Sequence, residues 1–335
     1  MVVRIMQKFS GARETNRDEI IERLSRLGLR ILHHFSFPMD ERRAIDIVAI
    51  YRDGKLLVKH SQKVSSKGTV FQELKRISRL LDINVLFIAD QFNNEDILDD
   101  VLYVRDRIGI VSTNTIRRLS EGKKIYIYEY NGMYYIKIDG EKLRKIRLER
   151  RYSLNELAKH VGVSVKALQK YEENEIDMSV EKAYRFLEIF GDDFEEVLSD
   201  IDIFSDRITK AEGHEEGIVL RRKENDKRYE IAQKLSKVVS RVEVFDTLPA
   251  DIIAKVNNFA KIFVAYISKN IDLNQVSMKC RENRALAESF DGIALSVTNS
   301  DRERDVINEI ERFTEVYPES AINDLIKEIA KNIHR

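Results

Sequence analysis

The chain has 335 residues, 43% of them hydrophobic, and its 57 Lys+Arg balance 57 Asp+Glu, so its formal net charge is zero. That length exceeds one small module and predicts two or three domains. The charge balance excludes a bulk polycation, so any nucleic-acid binding must rest on local patches. A single cysteine, Cys280, excludes an intrachain disulfide framework and a cysteine zinc cage. The most apolar runs, 84–89 and 262–268, have strand length and not membrane-span length. A cytoplasmic protein with no cofactor and no metal is the expectation.

Residues 18–28 predict an amphipathic helix with Ile20, Ile21, Leu24 and Leu27 on one face and Gly28 at its end. Strands follow at 29–35, 45–51 and 55–60, the last two joined by the hairpin signal Asp53-Gly54. The pattern then reads as a helix over 70–81, a buried strand over 85–89, a helix over 94–107 and a strand over 108–112. Together these make an α/β domain over 1–122. Residues 124–138 alternate and turn at Asn131-Gly132, which makes 123–138 a β-hairpin connector. Residues 139–200 read as all helical, and 201–226 as a charged linker.

The remainder, 227–335, repeats the first α/β pattern. EIIERLSRL at 19–27 lines up with EIAQKLSKV at 230–238, and AIDIVAI at 44–50 resembles LPADIIA at 248–254 with an offset of one residue. LLVKHSQK at 56–63 aligns with IFVAYISK at 262–269, and the strand at 85–90 with 293–298. A helix over 96–107 would match one over 305–313. The alignment places Asp46 over Asp251 and Lys59 over Ala265. The fold class expected is α/β plus all-α, with two related α/β domains flanking a helical one.

The helical part contains LNELAKHVGVSVKALQKY at 154–171. Leu157, Val161, Val163, Leu168 and Tyr171 fall where two short helices bury apolar side chains against each other. Ala158 falls at their close approach, and Gly162 at a turn that needs a positive φ. Ser153 suits an N-cap, with Glu156 completing a capping box, and Ser164 caps the second helix. A helix over 142–150 precedes the pair, and one over 179–190, ended by Gly191, follows it.

The segment 143–191 resembles the Cro and phage-repressor, or XRE, type of helix-turn-helix. The resemblance implies that the second helix, 164–174, lies in the major groove of double-stranded DNA. Ser164, Val165, Lys166, Gln169 and Lys170 are then the candidate base readers. Gln169 could pair with adenine, Lys166 could reach guanine, and Val165 could pack on a thymine methyl. Six basic residues and one acid, Glu149, lie between Lys142 and Arg151, and Arg147, Arg150, Arg151 and Lys159 are the candidate phosphate contacts. One short helix reads few base pairs, so a homodimer on a palindromic operator is expected. Leu154 stands where such proteins often carry a phosphate-anchoring glutamine, and the second helix ends in Glu172, Glu173 and Glu175. A helix-turn-helix that binds protein, in a non-enzymatic assembly factor, is the other reading of these departures.

The first α/β domain resembles the PD-(D/E)XK nuclease fold, the restriction-endonuclease-like fold also seen in archaeal Holliday-junction resolvases. That resemblance would make Glu19 the helix acid, Asp46 the strand aspartate and Lys59 the lysine of a metal-dependent site. Leu57 replaces the second strand acid, and Glu73 on the next helix is the available substitute. In the second copy Ala265 and Phe263 replace the lysine and the acid. A metal-dependent DNA nuclease or junction-processing enzyme is thus the alternative to a non-catalytic scaffold. With YNGMYYIKIDGEKLRKIR leading into the helix-turn-helix, the whole layout resembles a group of archaeal HTH-type transcriptional regulators.

Other residues point to no chemistry. His33 and His34 are adjacent on a strand and face opposite sides, so they cannot readily share a metal. Cys280 reads as a buried helix residue. The tyrosines at 126, 128, 130, 134 and 135 read as packing residues of the hairpin rather than a base-stacking platform.

Overall fold

The computed structural model describes residues 17–40, 42–204, 226–257, 260–268, 271–299, 303–311 and 313–333. The expected charged linker lies almost wholly outside them. In chain order the first elements are α1 (Arg17–Arg26), β1 (Arg30–His34), β2 (Ile47–Tyr51), β3 (Gly54–His60), β4 (Lys63–Val64) and α2 (Thr69–Leu81). Next come β5 (Asn84–Ile88), β6 (Gln91–Phe92), β7 (Glu95–Asp96), β8 (Val101–Arg105), β9 (Ile108–Val111) and α3 (Thr113–Ser120). The middle of the chain forms β10 (Ile127–Tyr130), β11 (Met133–Ile136), α4 (Gly140–Glu149), α5 (Leu154–Val161), α6 (Val165–Glu172), β12 (Met178–Ser179) and α7 (Val180–Phe190). The rest forms α8 (Lys227–Leu235), β13 (Arg241–Val244), β14 (Ile252–Lys255), β15 (Lys261–Ile267) and α9 (Leu273–Ser289). It ends in β16 (Ile293–Thr298), α10 (Glu303–Ile310), β17 (Glu315–Pro318) and α11 (Ile322–Ile333).

The chain divides into two compact units. The first gathers the described residues up to Leu29, His60–Lys63, and those from Leu86 to 204. Its strands run β9-β8-β10-β11-β12, with β8 parallel to β10 and the other neighbours antiparallel. α1 packs on α3, and α4 to α7 form the helical end. The second unit holds Arg30–Lys59, Val64–Val85 and the C-terminal residues. It contains the antiparallel meander β1-β2-β3, helix α2, and a sheet in the order β13-β14-β15-β16-β17.

That C-terminal sheet is sandwiched. Ile262 and Val264 on β15 face a core with Ile231 and Leu235 of α8 and Leu325 of α11. Their neighbours Ala265 and Ile267 face the opposite core with Val276 and Cys280 of α9 and Ile310 of α10. This is the period-two alternation of a strand covered on both faces. β13, β14 and β15 are antiparallel, and β15, β16 and β17 are parallel. The meanders β1-β2-β3 and β13-β14-β15 share their register: Ile47 faces Val58, and Ile252 faces Val264.

One expected helix is absent. Residues 94–107 instead contain β7, which pairs with β6 just before it, and the strand β8. Asn93, Asn94, Asp100 and Asp106 all take positive φ, between 52° and 68°, which a right-handed helix cannot contain. The apolar run Val101-Leu102-Tyr103-Val104 is buried residue by residue, as in a strand covered on both faces. The match of this segment to 305–313 therefore fails, since α10 is a helix. The helical region 139–200 also contains a strand, β12, which adds to β11. α3 is a helix that the sequence reading does not include; Ser112 caps it by accepting from the Thr115 N–H at 3.0 Å.

Candidate nucleic-acid interface

The two motif helices are shaped by their caps. The Ser153 hydroxyl accepts from the Glu156 N–H at 3.2 Å, and the Glu156 carboxylate accepts from the Ser153 N–H at 2.8 Å. Gly162 ends α5 with φ 73°, and Ser164 accepts from the Ala167 N–H at 3.1 Å to start α6. Leu157, Ala158, Val161, Leu168 and Tyr171 are buried between the helices. Tyr171 meets Phe186 of α7 edge-on, with ring centroids 6.2 Å apart, and Phe186 stacks on Phe190 and Phe194. Of the apolar set read from spacing, all but Val163, which is half-buried, lie in the core of this region.

The C-terminal end of α6 is held from below. A Cβ on Gly140 would lie 2.2 Å from the Tyr171 carbonyl oxygen, so the start of α4 passes over α6 at a distance only glycine allows. The Gly140 N–H donates to the Asn174 side chain at 2.7 Å. Asp177 accepts from the Tyr128 hydroxyl at 3.1 Å and from the Ile138 N–H at 3.3 Å. β12 pairs with β11, placing Tyr135 opposite Ser179 and Ile136 opposite Met178. The segment after α6 is therefore part of a sheet, and α6 is mounted on the strands of its unit. Tyr128 also stacks on Tyr135 at 5.3 Å, so these two hairpin tyrosines are packing residues.

Of the base-reading candidates, Ser164, Lys166 and Gln169 are exposed, and Val165 and Lys170 are half-buried. The Ser164 hydroxyl is engaged as the cap, and Lys170 pairs with Glu175 at 3.3 Å. Lys159 and Arg151 are exposed, and Arg150 is exposed while pairing with Asp193. Arg147 is different. It is 6% exposed, and it binds Glu172 through two bonds of 2.6 and 2.9 Å and the Tyr152 carbonyl at 3.0 Å. It clamps α4 to α6 and cannot reach a phosphate without breaking that pair. The signal was present: Leu143, Ile146 and Arg147 share one helix face at the spacing i, i+3, i+4. The same pair removes Glu172 from the acidic end expected to repel DNA.

Among the described residues, Asp46 and Glu73 belong to no cluster of His, Cys, Asp or Glu that could hold a metal. Asp46 is 3% exposed, and its carboxylate lies 2.8 Å from Arg43 Nε and 3.2 Å from Lys59 Nζ. Leu57, at the expected acid position, is fully buried. Glu19 pairs with Arg23 on its own helix. Glu73 is 2% exposed and accepts from the Asp246 N–H at 2.7 Å, the Thr247 N–H at 2.9 Å and the Thr247 hydroxyl. Burial pushes the Glu73 carboxyl above its ordinary value, against those hydrogen bonds. In the C-terminal part Asp251 pairs with Lys279 at 2.6 Å and Arg228 at 3.5 Å and accepts from the Tyr266 N–H at 2.6 Å. Arg43, Arg228 and Lys279 were not singled out by the sequence, because the loop and helices that bring them to the aspartates cannot be read from spacing. Among the described residues no group of three or more His, Cys, Asp or Glu could hold a metal. A divalent cation at Asp46 would face two cations and one carboxylate, so the donor set does not fit it.

Comparison with known proteins agrees with this layout. Residues 13–125 match the PD-(D/E)XK superfamily domain, and residues 143–197 match a helix-turn-helix domain. The chain is 27% identical over 294 residues to a Saccharolobus solfataricus protein named "Putative HTH-type transcriptional regulatory protein", covering 88% of this chain and 90% of that one. Proteins of the same name from Sulfurisphaera tokodaii and Aeropyrum pernix are 31% and 34% identical. Those two matches cover 55% and 49% of this chain, and 59% and 50% of the relatives. No solved structure matches the chain. The protein thus carries a PD-(D/E)XK superfamily domain and a helix-turn-helix domain in one mixed α/β and all-α chain. It is a homologue, over most of its length, of the Saccharolobus solfataricus protein that bears that name. Among its described residues no helix is long and apolar enough to cross a membrane.

Proposed function

We propose that the protein is a sequence-specific DNA-binding regulator of transcription, acting as a homodimer on a palindromic operator. The observation that carries this reading is the solvent-facing side of α6. Lys166 and Gln169 project from a helix that packs on α4 and α5 and meets α7 through Tyr171 and Phe186. Lys159 and Arg151 stand exposed on the same motif, available for phosphate contacts. The names of the archaeal relatives support the same role. Two related nuclease-like domains, 1–122 and 227–335, then flank a helix-turn-helix domain at 139–200, joined through the hairpin 123–138 and the linker 201–226.

In this reading the nuclease-like domains are not catalytic, because Asp46 is already neutralised by Arg43 and Lys59. Selection from a random duplex library should return a two-fold sequence. Binding should weaken roughly 10³–10⁵-fold between 50 and 200 mM salt if about 6–10 phosphates are contacted. The absence of salt-dependent duplex binding would overturn the proposal. Reversing charge at Lys166 and Lys170 separates it from a protein-binding role, which should survive those changes. Cleavage of branched or linear DNA with Mg²⁺ or Mn²⁺ that disappears in Asp46→Ala would replace it with a nuclease.

A further inference from the structure

Glu73 has a counterpart. Asp82 and Asp291 both take φ 55° at the ends of α2 and α9, and Glu73 and Glu282 each precede that aspartate by the same number of residues. The Phe35 N–H donates to the Asp46 carbonyl at 2.9 Å, and the Phe245 N–H to the Asp251 carbonyl at 2.7 Å. The residues after those phenylalanines, Ser36-Phe37 and Asp246-Thr247, are therefore equivalent too. Glu73 accepts from the Asp246 and Thr247 N–H groups at 2.7 and 2.9 Å. Glu282 accepts from the Ser36 N–H at 2.8 Å and the Phe37 N–H at 2.9 Å. α2 packs on β13, and α9 packs on β1. Residue i of one repeat thus meets residue j of the other, and j meets i.

Such reciprocity is the mark of an isologous, two-fold contact. We propose that the face bearing Glu73 is a self-complementary surface for a second copy of the same repeat. The C-terminal repeat, 241–298, fills it from within the chain. This rests on the duplication and not on DNA binding. Glu73 and Glu282 are its two locks: each nearly buried carboxylate accepts from two backbone N–H groups of the other repeat. The acid that could have replaced a missing metal ligand is a docking group. A second chain has no access to this surface while the C-terminal repeat occupies it.

Lys55 and Asp291 meet across the same contact at 2.6 Å, and Cys280 is buried, which permits a direct test in the full chain. In Lys55→Cys/Asp291→Cys, a short bis-maleimide should give a cross-linked single chain at every protein concentration. Amide exchange supplies the second measurement. Glu73→Gln should speed exchange at Asp246 and Thr247 about tenfold or more, and Glu282→Gln should do the same at Ser36 and Phe37. Cross-links joining two chains, no cross-link, or unchanged exchange at the facing pair in either variant would overturn the proposal.

Discussion

Asp46 and Asp251 occupy the same position in two strand meanders, one residue before the pairs Ile47–Val58 and Ile252–Val264, and both are almost fully buried. Each is met by one lysine and one arginine, but these come from different elements. Asp46 takes Lys59 from the adjacent strand β3 and Arg43 from the preceding loop. Asp251 takes Lys279 from α9 and Arg228 from α8, because Ala265 stands where Lys59 would be. The charge balance is kept while its source is not. A catalytic lysine must approach the reacting atoms along a defined direction, whereas charge compensation needs only a cation near a buried carboxylate. The difference therefore favours a structural role for both clusters.

The largest effect should come from removing the cation on which one cluster most depends. Lys279→Met leaves Asp251 with Arg228 at 3.5 Å, close to an uncompensated buried charge. The cost should be about 3–5 kcal/mol in urea unfolding. Lys59→Met should cost less, about 1–3 kcal/mol, because Arg43 remains 2.8 Å from Asp46. Equal costs, or a larger one at Lys59, would break the comparison and restore a special role for the first cluster.

The sequence showed unequal amounts of these two regions. Asp46, Asp251 and the loss of the second lysine were legible, because strand alternation and the duplicated pattern align them. Lys279 was not, since it reaches Asp251 from a helix across the sheet, and no local spacing encodes that distance. The helix-turn-helix was legible almost throughout, because its caps, its glycine turn and its apolar positions are local rules. Its failures were the non-local ones: Arg147 turned inward to Glu172, and β12 added to β11. The misread helix at 94–107 has another cause. Ile97, Val101 and Val104 satisfy helical spacing as well as a buried strand does, and only the Asn and Asp residues in left-handed geometry decide.

A smaller effect appears with pH and belongs to the glutamates that link the repeats. Burial, the largest influence, raises the carboxyls of both Glu73 and Glu282 above the ordinary glutamate value. A raised folded value means that the folded state binds the proton more tightly than the unfolded chain. Their contribution to stability is thus full below the ordinary glutamate range and lost as pH rises through the raised folded values. Unfolding free energy followed from acid to neutral pH should show that loss, and Glu73→Gln/Glu282→Gln should remove it. An unchanged pH profile in the double variant would show that neither glutamate titrates in this window.

The smallest effect belongs to Ser164, exposed in the helical region, where local rules and proposed function meet in one side chain. Its hydroxyl caps α6 through the Ala167 N–H at 3.1 Å, and it also lies among the candidate base readers. Ser164→Ala should cost about 1 kcal/mol of stability, and Ser164→Gly only a few tenths. Measuring duplex affinity beside stability separates the two duties. If Ser164 is only a cap, the glycine variant binds DNA as the parent does. If its hydroxyl also touches the duplex, glycine loses affinity while the helix stays intact. The buried clusters offer no such separation, because there the loss of a side chain and the loss of the fold are the same event.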